Sequence, residues 1–379
     1  MPPQASPAPR LAASGHPTIA VAEVARSSLK VAPEAVYARR PPHFANLDLV
    51  EAGDRLALES RWKATSQTAP PILLHRLGPA VITSPGAVWL VGGEVVLESL
   101  HNMQLKDRAA LLAAGPPQPD PVVRSPVERD LLLQGATLLL ARAGSMNYGH
   151  WLAEHLGALL LLRDAMPELQ PRLLVNDPRG PAMLRVFADS AGLAGFDPAA
   201  LLPMKRAGGT RVAELLMLSP ASAHSYMKHP TALAALARLA PPRPATDLLF
   251  VRRTSTAKRA LHNIDLVEAA AIRLGFRSIE PGRMTLAEQI EAFAGARIVA
   301  GVSGADLTNI VFMPEGGDVV CLLPSRGREF FFWDICCIRG HRYWSIFGPP
   351  VTQRGGGHDD FTVDAELASN VMAQAVGAG

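Results

Sequence analysis

What most constrains this chain is a regular alternation between residues 248 and 323. Residues 248–251, 276–279, 298–300 and 319–323 are apolar runs of strand length, and 264–274, 286–293 and 307–312 carry helical spacing between them. Strands that alternate with helices are confined to right-handed crossovers and a mostly parallel sheet, so an α/β fold is predicted. Ligands of such sheets bind beyond the carboxyl ends of the strands. The loops at 252–259 and 301–305 are therefore where a site is expected.

Upstream the pattern is looser. Residues 72–74, 80–82, 88–91 and 95–97 are short apolar runs broken by Gly-Pro, Ser-Pro-Gly and Gly-Gly, which predicts antiparallel strands. A Pro-rich connector at 109–120 precedes a strand at 136–141 and a helix over 148–164, with Asn147 as its N-cap. A strand at 172–175 and a helix at 181–191 follow. The run APPRPA at 240–245 reads as an interdomain linker. The predicted division is a flexible arm at 1–42, an N-terminal domain at 43–240 with a β-rich start, a Rossmann-like domain at 246–350, and a tail at 351–379 with room for a helix.

Composition excludes several classes. With 379 residues, 48% hydrophobic and 19% charged, the chain can bury a large core and is not a disordered protein. A net charge of +3 is too small to argue for nucleic-acid binding, and 31 arginines against 6 lysines reflect a coding bias. Three cysteines, Cys321, Cys336 and Cys337, without a CxxC pair, give neither a disulfide framework nor a zinc site. There is no basic-then-apolar leader, and the apolar stretches at 131–141 and 156–162 fall short of the roughly 20 residues of a membrane span. A soluble cytoplasmic protein with reduced thiols is expected, any membrane contact being peripheral.

Three constellations carry chemistry. The first is Asn147-Tyr148-Gly149-His150-Trp151-Leu152-Ala153-Glu154. His150 and Glu154 share a helix face, where they form either a pair able to deprotonate a hydroxyl or a surface ion pair; His155 points off that face. The second is Arg252-Arg253 and Arg259 after an apolar strand, suited to a diphosphate or simply solvated, with Lys258 between them. The third, Gly301 to Asn309, is a strand-to-helix turn that either holds an anion on its amides or is a plain tight connection capped by Asp306. No Asp-x-Asp stands at a strand end, Asp359-Asp360 reads as solvated, and no His, Cys or carboxylate spacing suggests a metal. The Gly-x-Ser-x-Gly of a hydrolase elbow is missing around Ser303.

In this order, the three constellations resemble glycosyltransferase family 61, whose bacterial members are labelled capsular polysaccharide biosynthesis proteins. The likeness covers residues 147–323. It is densest at Glu280, Leu286, Gln289, Gly301, Gly304, Ala305, Leu307, Asn309, Phe312, Pro314 and Gly316. The resemblance implies a GT-B fold, two Rossmann-like domains facing a cleft. It also implies inverting, metal-independent transfer from a nucleotide-sugar, bound as substrate with no further cofactor, to a glycan or polysaccharide acceptor. Glu154 falls where the family carries its carboxylate and is assigned as base, with His150 orienting it, contacting the donor phosphate or itself serving as base. Arg253, Arg259, Asn263, Glu280, Gln289, Ser303, Gly304, Ala305 and Asn309 map to the donor side, and Asn147 and Trp151 to the acceptor side. The chain departs from the pattern at Ser303, where many members have histidine, at Asp306, where they have a small residue, and at Ile264, where an acid is usual. The spacing of the two arginines is longer than in some relatives. Two rivals follow: a catalytically silent nucleotide-sugar-binding or scaffold protein, and an unrelated α/β hydrolase using His150 and Ser303.

Overall fold

The computed structural model describes residues 16–115, 133–178, 180–204, 209–224, 226–253, 258–326, 330–355 and 357–378. The fold is mixed α/β, built on two large sheets.

The C-terminal sheet has the order Arg277–Ile279, Asp247–Val251, Ala296–Val302, Asp318–Pro324, Arg342–Gly348, His43–Phe44, and all its strands run parallel. Leu249, Val251, Val299, Val319, Cys321 and Leu323 point into one core, and Phe250, Ile298, Ala300, Val320 and Leu322 into another. Burial on both faces is why these strands read as unbroken apolar runs rather than as alternation. The helices Ile264–Arg273 and Ala365–Gly377 cover one face. Leu286–Ala294, the 3-10 helix Ala305–Phe312 and Phe331–Arg339 cover the other. The strand order reverses between Asp247–Val251 and Ala296–Val302, which makes the crevice beyond their carboxyl ends the ligand position of such a sheet.

The N-terminal sheet is half antiparallel and half parallel. Its central strand Thr210–Leu218 runs antiparallel to Ile72–Leu77 and Ala80–Thr83 and parallel to Leu133–Leu139, beyond which lie Arg172–Val175 and Leu201–Pro203. The helices Gly157–Ala165, Pro181–Leu193 and Pro230–Ala237 pack against it. One cluster of buried side chains runs from Leu74, Leu138 and Leu173 of this sheet to Leu249, Val299 and Val319 of the other. The two sheets thus share a core.

Several expectations are corrected. Residues 18–42, read as part of an arm, are built into the fold. Ser27–Ala32 pairs with Ile72–Leu77, Ala35–Ala38 with Ser66–Ala69, and Arg39 makes a buried ion pair with Asp334 at 2.9 Å. Pairing and one internal charge hold this segment without any periodicity to announce it; residues 1–15 lie outside the described residues. Of the predicted connector, residues 109–114 belong to the helix Leu105–Ala114, and 116–120 lie outside the described residues. The tail contributes the helix Ala365–Gly377, and Asp359 and Asp360 are buried rather than solvated. Their carboxylates accept from the backbone N–H groups of Gly355 at 3.0 Å and Ala260 at 2.9 Å. Among the described residues no helix is long and apolar enough to cross a membrane.

Candidate active site

The strand Leu133–Leu139 leads into a loop that ends at Asn147. As expected, Asn147 caps the following helix, its Oδ1 accepting from the N–H groups of Gly149 at 2.9 Å and His150 at 3.3 Å. The helix widens at once into a π-helical segment, Trp151–Leu156, a geometry often kept where a side chain must be aimed.

Across the start of this segment His150 Nδ1, one residue before it, and Glu154 Oε1, within it, are 2.7 Å apart. This is no surface pair, because the Glu154 side chain is only 3% exposed and that of His150 17%. Burial alone pushes the Glu154 carboxyl up. The hydrogen bond and charge of His150 outweigh it and leave the group below its ordinary value. Both carboxylate oxygens also accept from Asn102 Nδ2, each at 2.9 Å. Asn102 stands at φ 62°, a left-handed position that few residues other than glycine and asparagine tolerate. On its other side His150 stacks on His224, with ring centroids 4.8 Å apart and planes 19° from parallel, and Phe331 lies 5.9 Å away. His150, His224 and Asn102 line a cavity of about 1030 Å³, with Glu154 behind them.

The start of this helix sits directly on the Gly304–Asn309 turn. A Cβ added to Gly149 would meet Thr308 Oγ1 at 2.5 Å and Ala305 Cα at 3.5 Å. Beside this contact Tyr148 Oη donates to Asn309 Oδ1 at 2.7 Å, and Asn309 Nδ2 donates to Gln289 Oε1 at 2.7 Å. Gln289 Nε2 in turn donates to the Met284 carbonyl at 3.2 Å. Gln289 and Asn309 therefore act as a buried relay that fixes the turn against the His150 helix.

At the strand reversal, Arg253 and Arg259 converge on Ser303. Arg253 Nη1 donates to the Ser303 carbonyl and Arg259 Nη1 to its hydroxyl, both at 3.5 Å. Gly304 lets Arg253 lie close over the turn, since a Cβ there would come within 2.9 Å of Arg253 Nε and push that side chain aside. Burial first, and then the charge of Arg259, lower the Arg253 guanidinium, with Asp306 opposing both. The two cations thus converge on the Ser303 turn, with the Asp306 carboxylate beside Arg253. Asp306 is itself pushed up by burial, with Arg253 pulling it back. Arg252 turns away, and pairs with Asp265 at 2.7 Å and with Glu268. Arg259 holds φ 58°, a second non-glycine residue in the left-handed region at the site.

Not every expected residue joins this assembly. Trp151 is wholly buried, its indole donating to Ser190 Oγ at 2.9 Å and packing on Phe187, so the side chain serves the core rather than an acceptor. Asn263 spends its amide on the backbone of Val363, donating at 2.7 Å and accepting at 3.1 Å, which ties the tail to the sheet. Glu280 pairs with Arg283 at 2.8 Å. Ser303 is fully buried, and among the described residues it makes no hydrogen bond to a histidine, which leaves a serine-hydrolase arrangement without its base. Among the described residues no group of three or more His, Cys, Asp or Glu side chains is placed to hold a metal ion. Asn102 and His224 were not foreseen. Neither stands in a motif, and only the chain's folding brings them to His150.

No curated protein matches the chain. A family model does. Residues 148–320, running from Tyr148 through His150, Glu154, Arg253 and Arg259 to the strand Asp318–Pro324, match the model of the Glycosyltransferase 61 family, the family that the motifs resemble.

Proposed function

We propose that the protein transfers a sugar, with inversion, from a nucleotide-sugar to a hydroxyl of a glycan acceptor. The two-sheet arrangement reads as GT-B, with the donor diphosphate in the crevice at the strand reversal. Arg253, Arg259 and the Ser303-Gly304-Ala305 backbone would face the diphosphate and stabilise the charge that develops as it departs. This charge comes from the protein, so turnover is expected to survive chelator.

The geometry favours His150 as the group that meets the acceptor, since it lines the cavity while Glu154 is buried behind it. The acceptor O–H would give its proton to His150 Nε2 as its oxygen attacks the anomeric carbon. Glu154 would hold Nδ1–H and stabilise the imidazolium that forms. The observation that carries this reading is the seating of Gly149 on Ala305 and Thr308, which puts the His150–Glu154 pair beside the anion-ready turn.

Calorimetry with nucleoside diphosphates, followed by transfer assays on His150→Ala and Glu154→Gln, tests it. Both variants should keep donor affinity and lose turnover by about 10²-fold or more. Arg253→Ala should weaken donor binding at least tenfold, since it removes a charge-assisted contact. Unchanged affinity would overturn the donor assignment. One observation, Asp306 buried beside Arg253, favours a silent nucleotide-sugar-binding protein; donor binding with no turnover in the wild type would decide for it.

A further inference from the structure

The cavity that ends at His150 is larger and greasier than a sugar hydroxyl requires. Its volume, about 1030 Å³, stands at the top of the roughly 300–1,000 Å³ spanned by small-molecule sites. One wall is the helix Leu105–Ala114, which turns Leu105, Ala110, Leu111 and Ala114 toward it; Trp89 and Met103 add to this apolar surface. Leu105 is 73% exposed and Tyr226, also lining the cavity, 68%, so large apolar side chains stand open to solvent at this site. The polar groups nearest the reacting centre are Asn102, His150 and His224. Among the described residues that line it there is no lysine or arginine, and Asp107 adds a negative charge. The described lining therefore favours an uncharged ligand with an apolar portion over an anionic one.

We propose that this cavity binds an uncharged amphiphile, with a hydroxyl-bearing head at His150 and an alkyl or aryl tail along Leu105, Leu111, Met103 and Trp89. The inference rests on reading the His150–Glu154 pair as the acceptor end. It names the acceptor class as a glycoside or alcohol carrying an apolar aglycone, rather than a bare polysaccharide end.

The test is binding of methyl, hexyl and octyl β-glucosides to the full chain, each below its micelle-forming concentration, followed by Trp fluorescence. The dissociation constant should fall by up to about fourfold for each added methylene that is buried. Leu111→Asp should abolish this dependence, and Leu105→Asp, on the exposed side of the helix, gives the same reading if the first variant does not fold. Affinity that ignores chain length overturns the proposal, and so does a dependence that survives both variants. Octyl phosphate binding more tightly than octyl glucoside overturns the uncharged character of the site. Failure here leaves nucleoside-diphosphate binding at Arg253 untouched. Conversely, loss of that binding with chain-length dependence intact would sink the transfer reading and leave the amphiphile site standing.

Discussion

Glu154 is held by one neighbour close to it in sequence and another far from it. His150, four residues away, was legible because helical spacing alone brings i and i+4 together. Asn102, 52 residues upstream, was not, because its role depends on a left-handed turn that no local pattern announces. The same blindness sent Trp151 and Asn263 to the wrong tasks: a motif fixes which residue is present but not which way it faces. The Asn102 contact can be tested by charge. Asn102→Asp places a second carboxylate against one held below its ordinary value, and like charge raises it. The acid limb of the pH–rate profile should then move to higher pH, by about one unit or more. A profile that coincides with the wild type would show that Asn102 does not act on Glu154.

At the scale of elements, the regular part of the chain was the readable part. Strands predicted at 248–251 and 319–323 are found as Asp247–Val251 and Asp318–Pro324, since strands buried on both faces write themselves as apolar runs. The helices Ala52–Trp62 and Phe331–Arg339 and the central strand Thr210–Leu218 went unread. The first has too weak an apolar stripe, and the second is apolar almost all round and carries no period. What matters most to the site is the contact between two elements, the cap of the His150 helix and the Ala305–Phe312 helix. Gly149→Ala would drive a methyl to within 2.5 Å of Thr308 Oγ1. A cost of about 1–3 kcal/mol is expected from such overpacking, together with a loss of donor affinity as the turn is pushed aside. Thr308→Ala should recover most of both in the double variant, by making room. Equal penalties in the presence and absence of Thr308 would show that the two elements are not coupled there.

Across the whole molecule, two deeply buried histidines contribute strongly to how stability responds to pH. His155 lies in the π-helical segment against Trp151, and burial pushes its imidazole down to about 3. His341 lies just before the strand Arg342–Gly348. Its Nδ1 accepts from the Gly317 N–H at 3.1 Å while Nε2 donates to the Ile310 carbonyl at 3.3 Å, a pattern only the neutral ring can make. Burial, and then the charge of Arg339, likewise bring it to about 3. Each ring is neutral when folded, and in the unfolded chain takes up a proton near its ordinary value of about 6.5. The unfolded state therefore binds more protons between those values, and the stability each ring contributes is present above 6.5 and lost as pH falls toward 3. From pH 7 to pH 5 the cost is about 2 kcal/mol per ring, or about 4 kcal/mol for both, against the roughly 5–15 kcal/mol that holds a typical domain together. Denaturant titrations at the two pH values should show at least that drop in the wild type, a smaller one in His155→Gln or His341→Gln, and the smallest in the double variant, where His75, His101 and His229, also lowered by burial, still contribute. A drop of the same size in all four proteins would place the acid sensitivity elsewhere. Because one ring directly follows Glu154 in the π-helical segment and the other braces the 3-10 helix behind the donor turn, acid should loosen both halves of the site together. Activity lost on brief exposure to pH 5 should then return on neutralisation as the core re-forms.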